Sequence, residues 1–217
     1  MDRNELLKAV ATEVSGCNKC QLSYSRKRSV PGEGPVTAEI MFIGEGPGFY
    51  ENEQGRPFVG AAGKFLDELL QRAGLKRENV FITNVVKCRP PGNRDPLPEE
   101  LSACNEYLER QIETIDPRVI VTLGRYSMAR FMTNVRISDV HGQARWVNQR
   151  LIVPMFHPAA ALHQPSLKGA VLDDFSKLPG YVAQARQNRD KIVSGQAQPV
   201  VEEMEKKDDQ PTQLSLF

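Results

Sequence analysis

Four cysteines are the residues of this chain whose type and spacing most directly indicate chemistry. Cys17 and Cys20 form a close C-x2-C pair, whereas Cys88 and Cys104 follow much later and lie farther apart. Cysteine sets that contain such a close pair can surround a zinc ion or an iron–sulfur cluster. The wide separation of the second pair favours the larger cubane cluster, but from spacing alone a zinc site and unligated thiols both remain open.

A glycine-rich loop from Gly44 to Gly63, GEGPGFYENEQGRPFVGAAG, follows an apolar segment that is typical of a buried strand. Its glycines do not have the spacing of a Walker loop or of a dinucleotide-binding fingerprint. Its glutamates, Glu45, Glu51 and Glu53, would also repel a pyrophosphate. Because glycine has no Cβ, such a backbone can approach a ligand closely, and the loop is typical of a site for a flat, neutral ligand.

The elements that must position these residues follow an alternating pattern. Four apolar segments, AEIMFIG, NVFITNVVK, RVIVTLG and LIVPMFHP, predict strands, and helical periodicity separates the first three. Helices are also predicted over residues 3–15 and from about residue 167 to 186, the latter with a break at Pro179-Gly180. Alternating strands and helices predict an α/β fold with a parallel sheet. Ligands bind beyond the carboxyl ends of such strands, where GEGPG, NVVKCRPPGNRDP and HPAAAL are expected.

The composition is that of an ordinary soluble protein, with 217 residues, 40% hydrophobic and 25% charged side chains, and a net charge of +1. No signal peptide or membrane-spanning stretch is visible in the sequence, so we expect a cytoplasmic protein without structural disulfides. Two basic groups, CNKCQLSYSRKR and the trio Lys87, Arg89 and Arg94, suit a polyanionic partner. On charge alone, an ordinary solvated surface is the favoured explanation of both.

The chain is predicted to divide into one domain over residues 1–186 and a flexible tail over residues 187–217. The tail is polar, charged and mostly without periodicity, which is typical of a segment that cannot build a core. Its last five residues, QLSLF, are abruptly apolar, which is unusual for a solvated terminus.

Taken together, these segments resemble the family 4 uracil-DNA glycosylases, the iron–sulfur type. The resemblance is carried by Cys17-x2-Cys20, GEGPG with GRPFVG, TNVVKCRPP with Cys88, then Cys104 and HPAAAL, in this order over residues 1–185. It implies a three-layer α/β/α fold with a central four-stranded parallel sheet. It also implies a [4Fe–4S] cluster on the four cysteines and cleavage of the uracil N-glycosidic bond in DNA by a monomeric, monofunctional enzyme.

The resemblance assigns the glycine-rich loop to a pocket for a base flipped out of DNA. Phe58 matches the stacking aromatic of the family, although a core role suits its position equally. Asn84 matches the residue that recognises uracil, and a carboxamide can donate to O4 and accept from N3–H, whereas cytosine presents the reverse pattern. Glu45 and Gly46 are expected to supply backbone contacts at the pocket floor.

The resemblance also assigns residues to bond cleavage. His157, in MFHPAAAL, matches a histidine that contacts uracil O2, where a donor stabilises the negative charge left on the ring. Some superfamily members carry a water-assisting aspartate at the position of Gly46, which this chain lacks. Glu51 and Asn93 are therefore the candidates for handling the water.

Three further residues are interpreted from the same resemblance. Leu162 is a candidate wedge that fills the gap left by the flipped base, with a core role as the alternative. His141 and His163 lack the context of a site and are expected at the surface.

A competing hypothesis is a protein that captures uracil-containing DNA without turnover. One related group bonds covalently to DNA through a histidine in a basic loop inserted after the GRPFVG region. The corresponding GAAGKFLDELL has neither an insert nor a histidine, which favours turnover. No lysine lies at the motifs to form a Schiff base, so strand cleavage is not expected.

The terminal pentapeptide QLSLF resembles the motif by which many bacterial replication and repair proteins bind the β sliding clamp. Gln213 can form hydrogen bonds, and Leu214, Leu216 and Phe217 can enter an apolar pocket, with the tail acting as a tether. The alternative is that these residues pack back onto the domain or have no function.

Overall fold

The computed structural model describes residues 2–193. The helices in this range are α1 (Arg3–Gly16), α2 (Leu22–Ser25), α3 (Phe49–Gln54), α4 (Ala61–Arg72), α5 (Pro98–Ile115), α6 (Arg125–Ala129), α7 (Ile137–Val140), α8 (Pro158–His163), α9 (Lys168–Ser176) and α10 (Leu178–Val193). The strands are β1 (Ile40–Gly44), β2 (Phe81–Asn84), β3 (Val119–Leu123), β4 (Arg145–Val147) and β5 (Arg150–Met155). No helix within the described range has the length and apolarity needed to cross a bilayer.

The strands form one sheet in the order β2-β1-β3-β5-β4. The strand β1 pairs in parallel with β2 and with β3, and β3 pairs in parallel with β5. These four are the strands that the apolar segments predict. The expectation of a purely parallel four-stranded sheet is nevertheless wrong, because β4 adds an antiparallel strand beside β5 and makes the sheet mixed.

The additional strand belongs to a tight hairpin. Asn148 and Gln149 connect β4 to β5 with positive φ angles of 46° and 66°, as two-residue hairpin turns of the primed type require. The strand has only three residues, and its burial ranges from exposed to half-buried. A segment of three residues is too short to carry a recognisable strand period in the sequence.

Two hydrophobic cores lie on opposite faces of the sheet. Side chains alternate across a strand, so Ile40 and Phe42 of β1 enter one core and Met41 and Ile43 enter the other. The helices α4, α8, α9 and α10 cover the first core, and α5, α6 and α7 cover the second. The result is a three-layer α/β/α arrangement, with α1 packed against α5.

The last predicted helical segment is two helices. The break falls between α9 and α10 at Lys177, and Pro179 lies in the first turn of α10, where its missing N–H needs no partner. The predicted start of the tail at residue 187 is wrong, since α10 continues to Val193.

Ion pairs hold this last helix to the domain. Arg186 pairs with Glu39, and Arg189 pairs with Asp116 at 2.5 Å. These contacts to distant parts of the chain cannot be read from local composition. Residues 194–217, with the QLSLF pentapeptide, lie outside the described residues.

Candidate active site

A pocket of about 560 Å³ lies beyond the carboxyl ends of β1, β2 and β5. It is lined by residues 45–51, Phe58, residues 60–62, Asn84, Pro90, Asn93, Arg94, His157, Ala159 and His163. The three segments expected at this edge of the sheet all contribute to it. Its size falls in the usual range for small-molecule sites.

Asn84 is the last residue of β2 and pairs with Gly44 at the end of β1. Its side chain is buried, and Oδ1 has no hydrogen-bond partner among the described residues. A Cβ on Gly44 would collide with this oxygen and would lie 2.7 Å from the Phe58 ring. Glycine at this position therefore lets both side chains pack over the end of β1. A buried polar atom without a partner costs about 1–3 kcal/mol, and a ligand that donated to this oxygen would remove that cost.

Phe58 combines the two roles that the sequence leaves open, because its ring belongs to the first core and also lines the pocket. Its φ of 50° is in the left-handed region, which is unfavourable for a bulky side chain. Arg77 secures this conformation by donating to the carbonyls of Pro57 at 2.6 Å and Phe58 at 3.2 Å. A Cβ on Gly63 would collide with the Phe58 carbonyl.

We expect Arg77→Met to lower the free energy of unfolding by about 3–6 kcal/mol, because it removes both hydrogen bonds to these carbonyls and each such bond to a charged group contributes about 1.5–3 kcal/mol. Arg56→Met is the matched control. Both arginines pair with Glu33. The side chain of Arg56 is 57% exposed, however, and exposed ion pairs contribute about 0–1 kcal/mol. Urea unfolding of both variants measures the difference, and equal losses would contradict the role given to Arg77.

Glu51 ties the two halves of the glycine-rich loop together. Its Oε1 accepts from the backbone N–H groups of Val59 at 2.8 Å and Gly60 at 2.9 Å, and its Oε2 accepts from Gly48 at 3.1 Å. A carboxylate offers about four acceptor positions, so these bonds leave one position on Oε2. The residue that the sequence suggests for handling water is thus also a structural tie within the loop.

His157 is the N-cap of α8, and its Nδ1 accepts from the backbone N–H of Ala159 at 3.1 Å. A ring nitrogen that accepts carries no proton, so in the neutral ring the proton is on Nε2. Burial lowers the pKa of His157 to about 4, and the nearby Glu51 partly offsets this effect. The ring stacks against Phe58 with 5.4 Å between centroids. Near neutral pH, His157 is therefore an uncharged donor through Nε2–H.

Glu45 and Gly46 both line the pocket, at the position that the sequence suggests. The carbonyl of Glu45 accepts from the backbone N–H of Val86 at 3.1 Å, which joins the loop to the segment after β2. Burial raises the pKa of the Glu45 carboxyl, Asp95 adds to this effect, and Arg125 opposes it.

Asn93 lies at the exposed rim of the pocket in the 3₁₀ turn Pro91–Asn93, with a φ of 56°. Its Oδ1 accepts from Nε of Arg89 at 2.8 Å. This bond orients the carboxamide and keeps its N–H groups suited to donate.

The structure places three further residues that the sequence singles out, two in α8 and one directly after α7. Leu162 is 47% exposed, so the core alternative is wrong, and the wedge role stays a prediction. His163 is exposed as expected but also lines the pocket. His141 is half-buried at the surface, and its Nδ1 lies 2.6 Å from Oδ2 of Asp174.

Sequence reasoning missed two aromatic residues at the pocket. Phe49 and Tyr50 begin α3 and line the pocket, yet they are 52% and 58% exposed. Their position directly after GEGPG was the available signal, since a loop that binds a flat ligand can continue into further aromatic contacts.

The four cysteines line one small cavity on the α1 side of the sheet. Cys17 and Cys20 lie between α1 and α2, Cys88 follows β2, and Cys104 lies in α5, where it faces the others. All are free thiols that share one apolar cluster. In the part of the chain that the structure describes, no three His, Cys, Asp or Glu side chains are arranged to hold a single metal ion.

Hydrogen-bond donors point at the sulfur atoms. The backbone N–H of Lys87 donates to Sγ of Cys104 at 3.3 Å, and Nη1 of Arg26 donates to Sγ of Cys88 at 3.2 Å. Such bonds to sulfur are among the features that tune iron–sulfur clusters. Four thiols around one cavity with donors on the sulfurs fit a cluster with four cysteine ligands.

Lys87 is not part of a basic surface, so that sequence-based expectation is wrong. The side chain is 1% exposed, and Nζ donates to Thr83 Oγ1 at 2.6 Å, the Asn84 carbonyl at 2.8 Å and Gln111 Oε1 at 2.7 Å. Burial lowers the pKa of Lys87 to about 7. Through its backbone and its side chain, this one residue contacts both Cys104 and the residue that ends β2.

The other predicted basic group, CNKCQLSYSRKR, is partly neutralised. Lys19 pairs with Glu106 at 2.6 Å, and Lys27 pairs with Glu53. Its charge is therefore less available to a polyanion than the sequence suggests.

A mostly parallel sheet with a glycine-lined pocket at its carboxyl edge places this chain among the α/β proteins that bind ligands beyond the strand ends. The sequence profile of the Uracil DNA glycosylase superfamily matches residues 31–177. Three similar proteins carry the name Type-4 uracil-DNA glycosylase. The protein from Sulfurisphaera tokodaii is 48% identical, covering 79% of this chain and 83% of the relative. Those from Archaeoglobus fulgidus and Thermotoga maritima are 47% and 44% identical, covering 80% and 83% of this chain and 92% and 96% of the relatives.

The chain belongs to the type-4 uracil-DNA glycosylase family. The resemblance inferred from the spacing of its cysteines, glycine-rich loop and histidine motif is thereby confirmed.

Proposed function

We propose that this protein hydrolyses the N-glycosidic bond between uracil and deoxyribose in DNA, releasing free uracil and leaving an abasic site. The observation that carries this proposal is Oδ1 of Asn84, which is buried at the pocket without a hydrogen-bond partner among the described residues. It is complementary to N3–H of uracil, and the amide N–H of the same side chain is complementary to O4. The names of the relatives support the same substrate.

Uracil leaves the base stack and enters the pocket beside Phe58. Extrusion of a base costs a few kcal/mol, which contacts inside the pocket must offset. Cytosine would bring a donor to the amide N–H of Asn84 and an acceptor to its oxygen. A buried site with mismatched polar groups discriminates by about 10⁴-fold or more.

Cleavage leaves the bonding electron pair on the uracil ring, so negative charge develops at O2. His157 stabilises this charge through Nε2–H, and its depressed pKa keeps the ring a neutral donor. A water molecule attacks C1′, and uracil takes up a proton as it leaves. The remaining acceptor position on Oε2 of Glu51 and the amide of Asn93 hold that water.

Strand cleavage is not part of the reaction. A lyase step would need an amine near C1′, and no lysine lines the pocket in the described part of the chain. The enzyme is therefore a monofunctional glycosylase. One chain supplies every group invoked here, so the reaction needs no second subunit, and we propose that the protein is a monomer in the cytoplasm.

The experiment that tests this function is incubation with a uracil-containing oligonucleotide, followed by assay of free uracil and of alkali-sensitive sites. Release of uracil with an intact, alkali-sensitive strand is expected. A stable protein–DNA adduct without free uracil would instead favour the capture hypothesis. That hypothesis is disfavoured because α4 begins directly after Gly60, which leaves no room for an inserted loop.

The cysteine cavity is proposed to hold a [4Fe–4S] cluster on Cys17, Cys20, Cys88 and Cys104. The wide separation of Cys88 from Cys104 along the chain and the hydrogen-bond donors on their sulfur atoms favour the cluster over a single zinc ion. When bound, the cluster would cross-link the α1–α2 connection to the end of β2 and to α5. That placement gives it a structural role, away from the bond that breaks.

Replacing Cys104 with serine is expected to remove the iron, about four atoms per chain, together with the visible absorption of the cluster. The Tm should fall by more than about 5 °C, because metal–ligand bonds contribute directly to folding. Ser102→Ala, on the exposed face of the same helix, is the matched control and should keep the iron. Anaerobically purified protein with stoichiometric zinc and no iron would refute the cluster.

A further proposal concerns residues outside the described range and rests on the sequence alone. We propose that QLSLF binds a bacterial β sliding clamp, with the apolar side chains of Leu214, Leu216 and Phe217 entering a pocket and Gln213 forming hydrogen bonds. Short peptide anchors bind weakly because ordering them costs a few kcal/mol. Tethering to a ring on DNA would nevertheless raise the local concentration of the enzyme.

The double substitution Leu216→Ala, Phe217→Ala should abolish clamp binding in a titration and leave uracil release from a free oligonucleotide unchanged. The control is Pro211→Ala, Thr212→Ala, which alters the adjacent residues and should keep full clamp affinity. Equal clamp affinity for both double variants would contradict binding of the clamp through QLSLF.

A further inference from the structure

Two aromatic rings stand exposed at the mouth of the pocket. Phe49 and Tyr50 are 52% and 58% exposed, and their rings meet edge to face with 5.4 Å between centroids. Both residues line the pocket that holds Asn84 and His157. Neither belongs to a hydrophobic core of the described chain, so packing of the fold does not explain them. Two adjacent exposed rings at the mouth of a pocket form a contiguous apolar surface, which is a feature of interaction sites.

The short helix that carries these rings is held in place. Gly48 caps α3, and its backbone N–H donates to the carboxylate of Glu51 at 3.1 Å. The same carboxylate accepts from the backbone N–H of Gly60 and thereby joins α3 to the start of α4. The buried Asn52 accepts from the backbone N–H of Lys27 at 2.9 Å. Aromatic groups on an element fixed at both ends lose little freedom when a ligand binds, which favours affinity.

Positive charge accompanies the rings. The guanidinium of Arg89 lies 5.3 Å from the centre of the Phe49 ring, and it is oriented by Nε donating to Asn93 at 2.8 Å. Arg94 also lines the pocket, but it is paired with the buried Glu100 at 2.6 Å, so Arg89 is the cation available beside the rings. Aromatic faces combined with arginines are the combination by which proteins bind single-stranded nucleic acid, where bases stack and phosphates pair with cations.

We propose that Phe49 and Tyr50 form a stacking site for the nucleobase adjacent to the flipped uracil. The inference rests on the proposed function, because the pocket beside the rings must hold uracil. A neighbouring base can reach the rings only when it is released from its own partner strand. The site therefore favours uracil in single-stranded DNA over uracil in a duplex.

The test uses the full chain and an oligonucleotide that carries hydrolysis-resistant 2′-fluoro-2′-deoxyuridine. The fluorescent base 2-aminopurine is placed on the 5′ side or the 3′ side of the uracil, so that its fluorescence reports stacking. We expect a binding-induced fluorescence change for one of these positions. The double substitution Phe49→Ala, Tyr50→Ala should abolish that change and raise the Kd for the single strand by about 5- to 150-fold, since stacking contributes about 1–3 kcal/mol per base.

Two controls separate ring stacking from general damage. Phe49→Tyr with Tyr50→Phe keeps both rings and should keep the Kd and the fluorescence change. Leu6→Ala removes an exposed apolar side chain on α1, outside the pocket, and should also have no effect. The loss of affinity should be smaller on the duplex, and an equal loss on both substrates would contradict the single-strand preference.

Uracil release by the unaltered protein from a cleavable oligonucleotide is measured in parallel. Suppose that the unaltered protein releases uracil, and that the alanine variant has the same Kd and the same fluorescence change as the unaltered protein. The stacking site would then be wrong, and the proposed function would stand. If no uracil is released, the proposed function is wrong, whatever the rings do.

Discussion

Replacing Asn84 with leucine is expected to lower kcat/KM for uracil excision by about 10⁴-fold, because a buried site leaves O4 and N3–H of the substrate without partners. The folded protein should not be destabilised. Oδ1 of Asn84 has no hydrogen-bond partner among the described residues, and removing an unpaired buried oxygen relieves a cost of about 1–3 kcal/mol. Steady-state kinetics and thermal unfolding of the same variant measure the two effects. Selectivity for uracil over cytosine should be lost together with the rate.

Thr122→Val provides the matched control. Oγ1 of Thr122 is also buried without a partner in the described chain, but the residue lies in β3 and does not line the pocket. Its replacement should leave excision and selectivity unchanged. If Asn84→Leu retained selectivity, or if it lost activity only by unfolding, Asn84 would not be the residue that recognises uracil.

The parts of this fold that are encoded locally could be predicted from the sequence. The strands β1, β2, β3 and β5 are continuous apolar runs because each is buried on both faces of the sheet. The segments after β1, β2 and β5 meet at one edge because parallel strands end on the same side. That rule brings Asn84 and His157 to one pocket, although they are far apart in the chain.

The parts that depend on contacts between distant segments could not be predicted. Lys87 looks like a surface cation in the sequence, but it is buried because Thr83, Gln111 and the Asn84 carbonyl surround its ammonium group. The left-handed φ of Phe58 depends on Arg77. Neither arrangement leaves a periodic signal.

Glu51 illustrates how a local motif can mislead about role. Its place in a glycine-rich loop suggests a free carboxylate, yet three backbone N–H groups already bind it. A carboxylate that closes a loop is held in a fixed position, which suits placing a water molecule. The same bonds make substitution at this position ambiguous, because loss of Glu51 would also release the start of α4.

His157→Phe is expected to lower kcat by about 10²- to 10³-fold with a smaller effect on KM, because a donor aimed at developing charge contributes about 3–4 kcal/mol to the transition state. The variant keeps a ring that can stack on Phe58, although it loses the hydrogen bond that Nδ1 accepts from the backbone N–H of Ala159. His157→Gln restores an N–H donor without the ring and should recover part of the rate. Single-turnover kinetics compare the three proteins, and equal losses in both variants would show that the donor is not what matters.

The pH dependence of excision provides an independent test of the same donor. Burial lowers the pKa of His157 from 6.5 to about 4, so the ring stays neutral as the pH falls from 7 to about 5, where a solvated histidine would be largely protonated. The pH profile of the excision rate should therefore have no inflection near pH 6.5 that belongs to His157. The profiles of the unaltered protein and of His157→Gln should have the same shape in this range. Because the unfolded chain binds this proton more readily than the folded chain, the stability contributed by the neutral ring is complete above pH 6.5 and declines as the pH falls toward about 4. A histidine proton titration by NMR that placed the pKa of His157 near 6.5 would contradict a donor that stays neutral down to about pH 5, since the ring would then be half protonated at pH 6.5.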